Sequence, residues 1–207
     1  MSNASVFSGF FQNPDYSYST CFLAADPYGQ TKITQRAQVI SEEIQGDDTL
    51  ARVINLLLWI KHNLTKTERD SFDRSAHNIL KSKQVAGCAD CALVFVTLAR
   101  AMNIPAIFVQ TANIMWIKRV QKGINPYSVT GHAFAEFYCK GKWLLADPAK
   151  GAIVFTHDTD DQILMGTQVV FAKSLGVWET GIGDQLSNSR TMVSLFRNWK
   201  PPHPLLP

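Results

Sequence analysis

The chain is short of cysteine, has no long apolar run and carries no block of like charge, and each shortage removes a class of protein. Four cysteines, at positions 21, 88, 91 and 139 of 207 residues, do not make the disulfide framework of a secreted scaffold, so free thiols in a reducing compartment are expected. No segment approaches the roughly 18 uninterrupted apolar residues of a membrane span. The first residues, Met1-Ser2-Asn3-Ala4-Ser5-Val6-Phe7, have neither the basic stretch nor the apolar core of a secretory signal. The expectation is a soluble, cytoplasmic protein, with export by a route that needs no N-terminal signal left open. Twenty basic against 17 acidic residues give a net charge of only +3, and Lys118-Arg119 with Lys122 form a modest basic spot. That balance argues against nucleic acid as a partner, and with no long apolar run no membrane partner is expected either. Neither an internal repeat nor a low-complexity segment is present.

What is there suffices for a core. With 46% hydrophobic residues the chain reads as one domain over 1–207, its centre at about 35–150, preceded by a lead-in and followed by a C-terminal extension. Residues 1 to about 30 show little periodicity and are expected to drape over the domain, anchored by Phe7, Phe10 and Phe11. A helix is predicted from Thr34 to Ile44, a second from Thr49 to about His62 with Asp47 or Asp48 as its cap, and a short third from Ser75 to Ser82. Residues 68–73 read as loop. After Pro148 the pattern weakens: residues 152–155 read as strand, 160–175 as helix or strand, 178–184 as turns, and Trp199 to Pro204 as an irregular tail.

The stretch that organises the chain is Gly87-Cys88-Ala89-Asp90-Cys91-Ala92-Leu93-Val94-Phe95-Val96-Thr97-Leu98-Ala99-Arg100-Ala101-Met102-Asn103-Ile104-Pro105. Apolar or small residues recur at 88, 91, 92, 95, 98, 99 and 102, the spacing of one helix face. Cys88 falls in the first turn, where unpaired N–H groups and the helix dipole favour a thiolate. Asn103 suits a left-handed cap, Pro105 cannot continue the helix, and a strand is expected from Ala106 to Thr111.

A second informative stretch is Gly131-His132-Ala133-Phe134-Ala135-Glu136-Phe137-Tyr138-Cys139-Lys140-Gly141-Lys142-Trp143-Leu144-Leu145-Ala146-Asp147-Pro148. Lys140-Gly141 reads as a two-residue turn, so the stretch is a β-hairpin that pairs Tyr138 with Trp143 and Phe134 with Asp147. The side-chain period of two puts His132 and Asp147 on one face as diagonal neighbours, about 7–8 Å apart at the backbone and within hydrogen-bonding reach. Glu136 lies roughly 13 Å along that face, too far to replace Asp147.

A thiol at a helix start, an imidazole and a carboxylate are the parts of covalent acyl chemistry: nucleophile, proton carrier, and a group that orients the ring. Gly87-Cys88-Ala89-Asp90 running on to Asn103-Ile104-Pro105-Ala106, then Gly131-His132-Ala133-Phe134-Ala135-Glu136, then Trp143-Leu144-Leu145-Ala146-Asp147-Pro148, resemble the transglutaminase-like superfamily of papain-fold enzymes over roughly residues 35 to 150. The resemblance implies an α+β, papain-like fold with a catalytic helix packed against an antiparallel sheet. It further implies Cys88 as nucleophile, His132 as general base and acid, and Asp147 as orienting residue. Members cleave or rearrange amide bonds, many as cysteine proteases, some as peptide N-glycanases and a minority as glutamine–lysine cross-linkers. The expected activity is therefore a cysteine-dependent amide hydrolase acting on peptide or protein, without cofactor or metal. Asn103 stands where the family often has Gly, and Asp147-Pro148-Ala149 where it has Asp-Pro-Thr. The family's upstream oxyanion donor has no secure match; Trp59 is the nearest candidate and reads more simply as core packing.

Competing readings attach to particular residues. Cys91, one turn after Cys88, is a packed core thiol or, as Cys88-Ala89-Asp90-Cys91, half of a redox dithiol or zinc site; zinc lacks further ligands at suitable spacing. Asp90 complements the helix N-terminus. His62, His77, His157 and His203 carry no assignment. Residues 113–130, with Trp116, Arg119 and Tyr127, stand just before His132 as a possible cleft wall. Beside the hydrolase stand three alternatives: a transglutaminase, a non-catalytic peptide-binding module and a dithiol oxidoreductase.

Overall fold

In the computed structural model, which describes residues 14–16, 22–68, 72–124 and 129–200, the first three helices each start on a side-chain cap. Thr34 accepts from the Ala37 amide at the head of α1 (Gln35–Glu43), Asp48 from Ala51 at α2 (Thr49–Asn63), and Ser75 from Asn78 at α3 (Ala76–Ser82). Between α2 and the next helix, β1 (Thr65–Lys66) and β2 (Gln84–Val85) form a short parallel pair around α3.

The fourth helix, α4 (Cys88–Ala101), is buried at every residue from Ala89 to Arg100. Such all-round burial means packing on two sides: α1, α2 and α3 lie against it on one, and a sheet closes the other. It ends as the sequence predicts, with Asn103 in the left-handed region at φ 61°. Arg100 is buried with it, donating from Nε and Nη2 to the Ala106 carbonyl at 3.0 and 2.7 Å and from Nη1 to the Leu175 carbonyl at 2.8 Å. One guanidinium thus ties the central helix to the strand that follows it and to a segment far along the chain.

The sheet has six strands in the order β6-β5-β4-β3-β8-β7. Their ranges are β3 (Ala106–Asn113), β4 (Gly131–Cys139), β5 (Lys142–Asp147), β6 (Ala152–Val154), β7 (Ile163–Leu164) and β8 (Gln168–Ser174), and every neighbouring pair is antiparallel. The β4–β5 hairpin turns at Lys140-Gly141, both at positive φ (50° and 86°), and pairs Ala135 with Ala146 and Tyr138 with Trp143, the register expected. Alternation sends Ala133, Ala135, Phe137 and Cys139 into the core around α4. Phe134 points the other way, to a cluster with Val109, Leu145, Leu164 and Val170.

Two parts of the chain depart from expectation. Residues 114–121 form a helix, α5 (Ile114–Gln121), and Trp116 is fully buried against Phe196, so it is core; of the segment 113–130 it is Val129 that lines the cleft with Cys88 and His132. Beyond residue 160 the ambiguous segment is strand, and α6 (Gln185–Phe196) follows a 3₁₀ turn at Val177–Thr180. The sequence analysis placed no helix there, although Asp184 and Ser187 form a reciprocal capping box and Met192, Val193 and Phe196 share a face. Both α5 and α6 bury that face against Ala112 of β3 and Val169 of β8, with Trp199 from the predicted tail. Phe7, Phe10, Phe11, Tyr127 and the tail beyond residue 200 lie outside the described residues.

Among the described residues no helix is long and apolar enough to cross a membrane.

Candidate active site

Cys88 is the first residue of α4, and the N-cap before it, Gly87, has no side chain to claim the first-turn amides. Those N–H groups and the positive end of the dipole are left for an anion at or beside the sulfur. The thiol is partly exposed, whereas Cys91 is buried and its thiol is pushed up to about 12, by burial first and then by Asp90. The two cysteines of the C-x-x-C therefore differ in kind: one faces the cleft and the other packs into the core.

Asp90 is fully buried in the same turn. It is paired with Arg74 and accepts from the Ala86 amide at 2.8 Å, so it fixes the loop that delivers Cys88. Burial raises its carboxyl by more than Ala86 and Arg74 lower it. Arg74 stands between the residues read as loop and the predicted third helix, and no local periodicity marks it as Asp90's partner.

His132 and Asp147 come together across the hairpin. The ring Nε2 lies 2.9 Å from Asp147 Oδ1, a short ion pair and not an aligned hydrogen bond. With Nε2 at the carboxylate, Nδ1 is the ring nitrogen left for the sulfur. Burial works against the imidazolium, but Asp147 and Cys88 outweigh it and raise His132 to about 9. Burial likewise opposes the Asp147 carboxylate, and His132 with the Lys150 amide and ammonium still holds it below the usual range. Lys150 Nζ stands 3.3 Å from Oδ2.

The ring's backbone is fixed from β3. Thr111 Oγ1 accepts from the His132 amide at 3.2 Å and lies 2.9 Å from both the His132 carbonyl and Gln168 Oε1. Gly131 has to be glycine, since a Cβ there would stand 2.2 Å from the Thr111 carbonyl oxygen. Sequence reasoning missed Thr111, because a threonine in a strand is ordinary until its cross-strand partner is known.

Cys88 and His132 share the lining of a cleft of about 150 Å³ with Gln110, Phe171, Asn188 and Met192. Three of those six, Phe171, Asn188 and Met192, come from the sheet and helix beyond residue 150. Phe72 lines the cleft as well and is held at φ 78°, a strained conformation for an aromatic residue, with its carbonyl bonded by the Trp178 indole at 2.7 Å. Trp59 is half-buried against the main core and outside this lining.

Glu136, on the His132 face of β4, belongs to a different group of residues. Its buried carboxylate is bonded by Tyr16 Oη at 2.5 Å, His157 Nε2 at 2.8 Å and Lys173 Nζ at 2.7 Å. His157, left without assignment from its polar surroundings in the sequence, is therefore a buried partner of a charge.

Fold and site together define a class: an α+β, papain-like protein of the cysteine-enzyme type, its thiol at the head of the helix that packs on an antiparallel sheet. The family model of the Transglutaminase-like superfamily matches residues 38–148, and the chain belongs to that superfamily. No curated protein matches it. Among solved structures it is similar to a protein from Cytophaga hutchinsonii described as a "putative cysteine protease", at 19% identity and a TM-score of 0.56, over 78% of this chain and 48% of that one. It is also similar to the periplasmic domain of TgpA from Pseudomonas aeruginosa, at 20% identity and a TM-score of 0.43, over 62% of this chain and 49% of that one. The chain thus spans about half the length of each of these two structures.

Proposed function

We propose that the protein is a cysteine-dependent amide hydrolase acting on peptide or protein substrates through Cys88, His132 and Asp147. One observation carries this reading: the His132 ring stands 2.9 Å from a carboxylate and lines one cleft with the sulfur at the head of α4, and both groups raise it. The Cys88 thiolate attacks the substrate carbonyl carbon, and the Cys88 backbone N–H with the unclaimed first-turn amides receives the negative charge that develops on oxygen. As the C–N bond breaks, the His132 imidazolium gives its proton to the departing nitrogen. A thioester remains on Cys88. Water then adds to it, His132 takes the water's proton, the C–S bond breaks, and the thiolate returns. Throughout, Asp147 orients the ring and stabilises its cation.

The test is incubation of labelled casein with the wild-type chain and with Cys88→Ala, reading new α-amino groups and, in parallel, incorporation of monodansylcadaverine. Cleavage by the wild type alone supports hydrolysis. Amine incorporation without cleavage replaces it with transglutamination. Neither product, with Cys88 unreactive to iodoacetamide at neutral pH, leaves a binding module.

A further inference from the structure

Among the described residues, three exposed large apolar side chains meet in one place, away from the cleft that holds Cys88. Ile54 and Leu58, one turn apart on α2, are 43% and 46% exposed, and Phe155, just past β6, is 53% exposed. With buried Leu57 and half-buried Ile153 they line a groove of about 270 Å³ between α2 and β6. Apolar side chains exposed singly are ordinary, but a concave group of them marks a binding groove. The rest of the lining is Gly151 and two exposed lysines: Lys61 from the next turn of α2, and Lys150 from the turn that leads into β6. No acidic side chain is part of the described lining.

Such a groove suits a ligand with an apolar chain and a negative head. We propose that it binds a medium-chain aliphatic carboxylate, with the chain along Ile54, Leu58 and Phe155 and the head group on Lys61 and Lys150. Volume sets the length: at about 30 Å³ for each water-sized group, 270 Å³ takes about nine of them, so a carboxylate of about eight carbons fills it. Charge sets the head group, because the rim offers two ammonium ions from separate elements. Asp147, the carboxylate 3.3 Å from Lys150, is buried and shared with His132, and it leaves the outer side of the Lys150 ammonium to a ligand. A stable interface with a second copy takes about 20–30 residues a side. Eight residues line this recess. The groove also ends on Asp147's own turn, where the Gly151 amide donates to the Asp147 carbonyl at 2.8 Å. A head group at Lys150 therefore sits one ammonium away from the carboxylate beside His132.

The test is an amide-resolved NMR titration of the full chain with straight-chain carboxylates, which reads binding and no turnover, so its outcome is independent of the hydrolase reading. Octanoate should shift the amides of residues 54–61 and 150–155 to saturation. From butanoate upward, affinity should rise about threefold for each added CH₂ and level off near about eight carbons, where the groove is full. Lys61→Gln/Lys150→Gln should bind octanoate about tenfold more weakly, two exposed ion pairs being lost, and should bind octan-1-ol as the wild type does. Leu58→Glu, a change at an exposed position, should bind neither. The proposal is overturned if octanoate gives no saturable shift at those residues, if affinity keeps climbing beyond that length, or if either variant holds octanoate as tightly as the wild type. Binding to phosphatidylglycerol vesicles that octanoate does not displace would give the groove to a lipid surface, and a dimer that Leu58→Glu dissociates in sedimentation would give it to a second copy; either result also overturns the proposal.

Discussion

Gly131 and Thr111 meet backbone to backbone at the end of the sheet that presents His132, leaving no space for a side chain at 131: a Cβ would lie 2.2 Å from the Thr111 oxygen. Gly131→Ala must push β4 away from β3 and move the imidazole with it. The expected result is a fall in kcat/KM of about a hundredfold, the cost of misplacing a reacting group by about 1 Å, together with a lower melting temperature. Thr111→Val keeps the shape but removes the hydroxyl that the His132 amide donates to. It should lose about 1–2 kcal/mol of stability in urea unfolding and act mainly on kcat. Unchanged kcat in both variants would show that the ring needs no such support.

Under the proposed mechanism the His132 imidazolium should set the alkaline limit of activity. With His132 raised to about 9 from an ordinary 6.5, the cation is present at neutral pH and is lost as pH rises through about 9. The rate should therefore decline on that limb, and the pair's contribution to folding stability, complete below about 6.5, should disappear over the same window. Asp147→Asn removes one of the groups that raise the ring, so the limb should move to lower pH and kcat should drop by about 10³–10⁴-fold. A limb at the same pH in the variant would mean that it reports another group.

The two thiols of the C-x-x-C should be chemically distinct. Iodoacetamide at pH 7 is expected to label Cys88 and spare Cys91, which is buried with its thiol pushed up to about 12. Peptide mass mapping separates the sites. Equal labelling, or a reversible Cys88–Cys91 disulfide, would favour dithiol redox chemistry.

Arg74→Met leaves the fully buried Asp90 without its cation, and breaking one side of such a pair costs about 3–5 kcal/mol. Part of that loss should return in Arg74→Met/Asp90→Asn, because the neutral amide still accepts from Ala86. The readout is the denaturation midpoint of the three proteins. A double variant no better than the single one would mean that the charge on Asp90 is not the source of the loss.

Much of the site was legible in the chain because it depends on local rules. A glycine before a buried helix fixes where Cys88 points, and a two-residue turn fixes the hairpin register, which in turn places His132 beside Asp147. The support around them was not legible. Thr111 reaches His132 from 21 positions away and Arg74 reaches Asp90 from 16, with no spacing rule connecting either pair. Helix α6 was missed for a related reason. Its apolar face is narrow, and Asn188 interrupts it at the point where the helix meets the cleft.

By itself, then, the sequence determined the first four helices, the hairpin register and the order of thiol, imidazole and carboxylate, since hydrogen-bonding period and turn chemistry act over a few residues. Tertiary structure alone decided which far segments close the cleft and which charges are buried in pairs. Those outcomes arise from desolvation, which depends on what packs against a group and not on its neighbours in the chain.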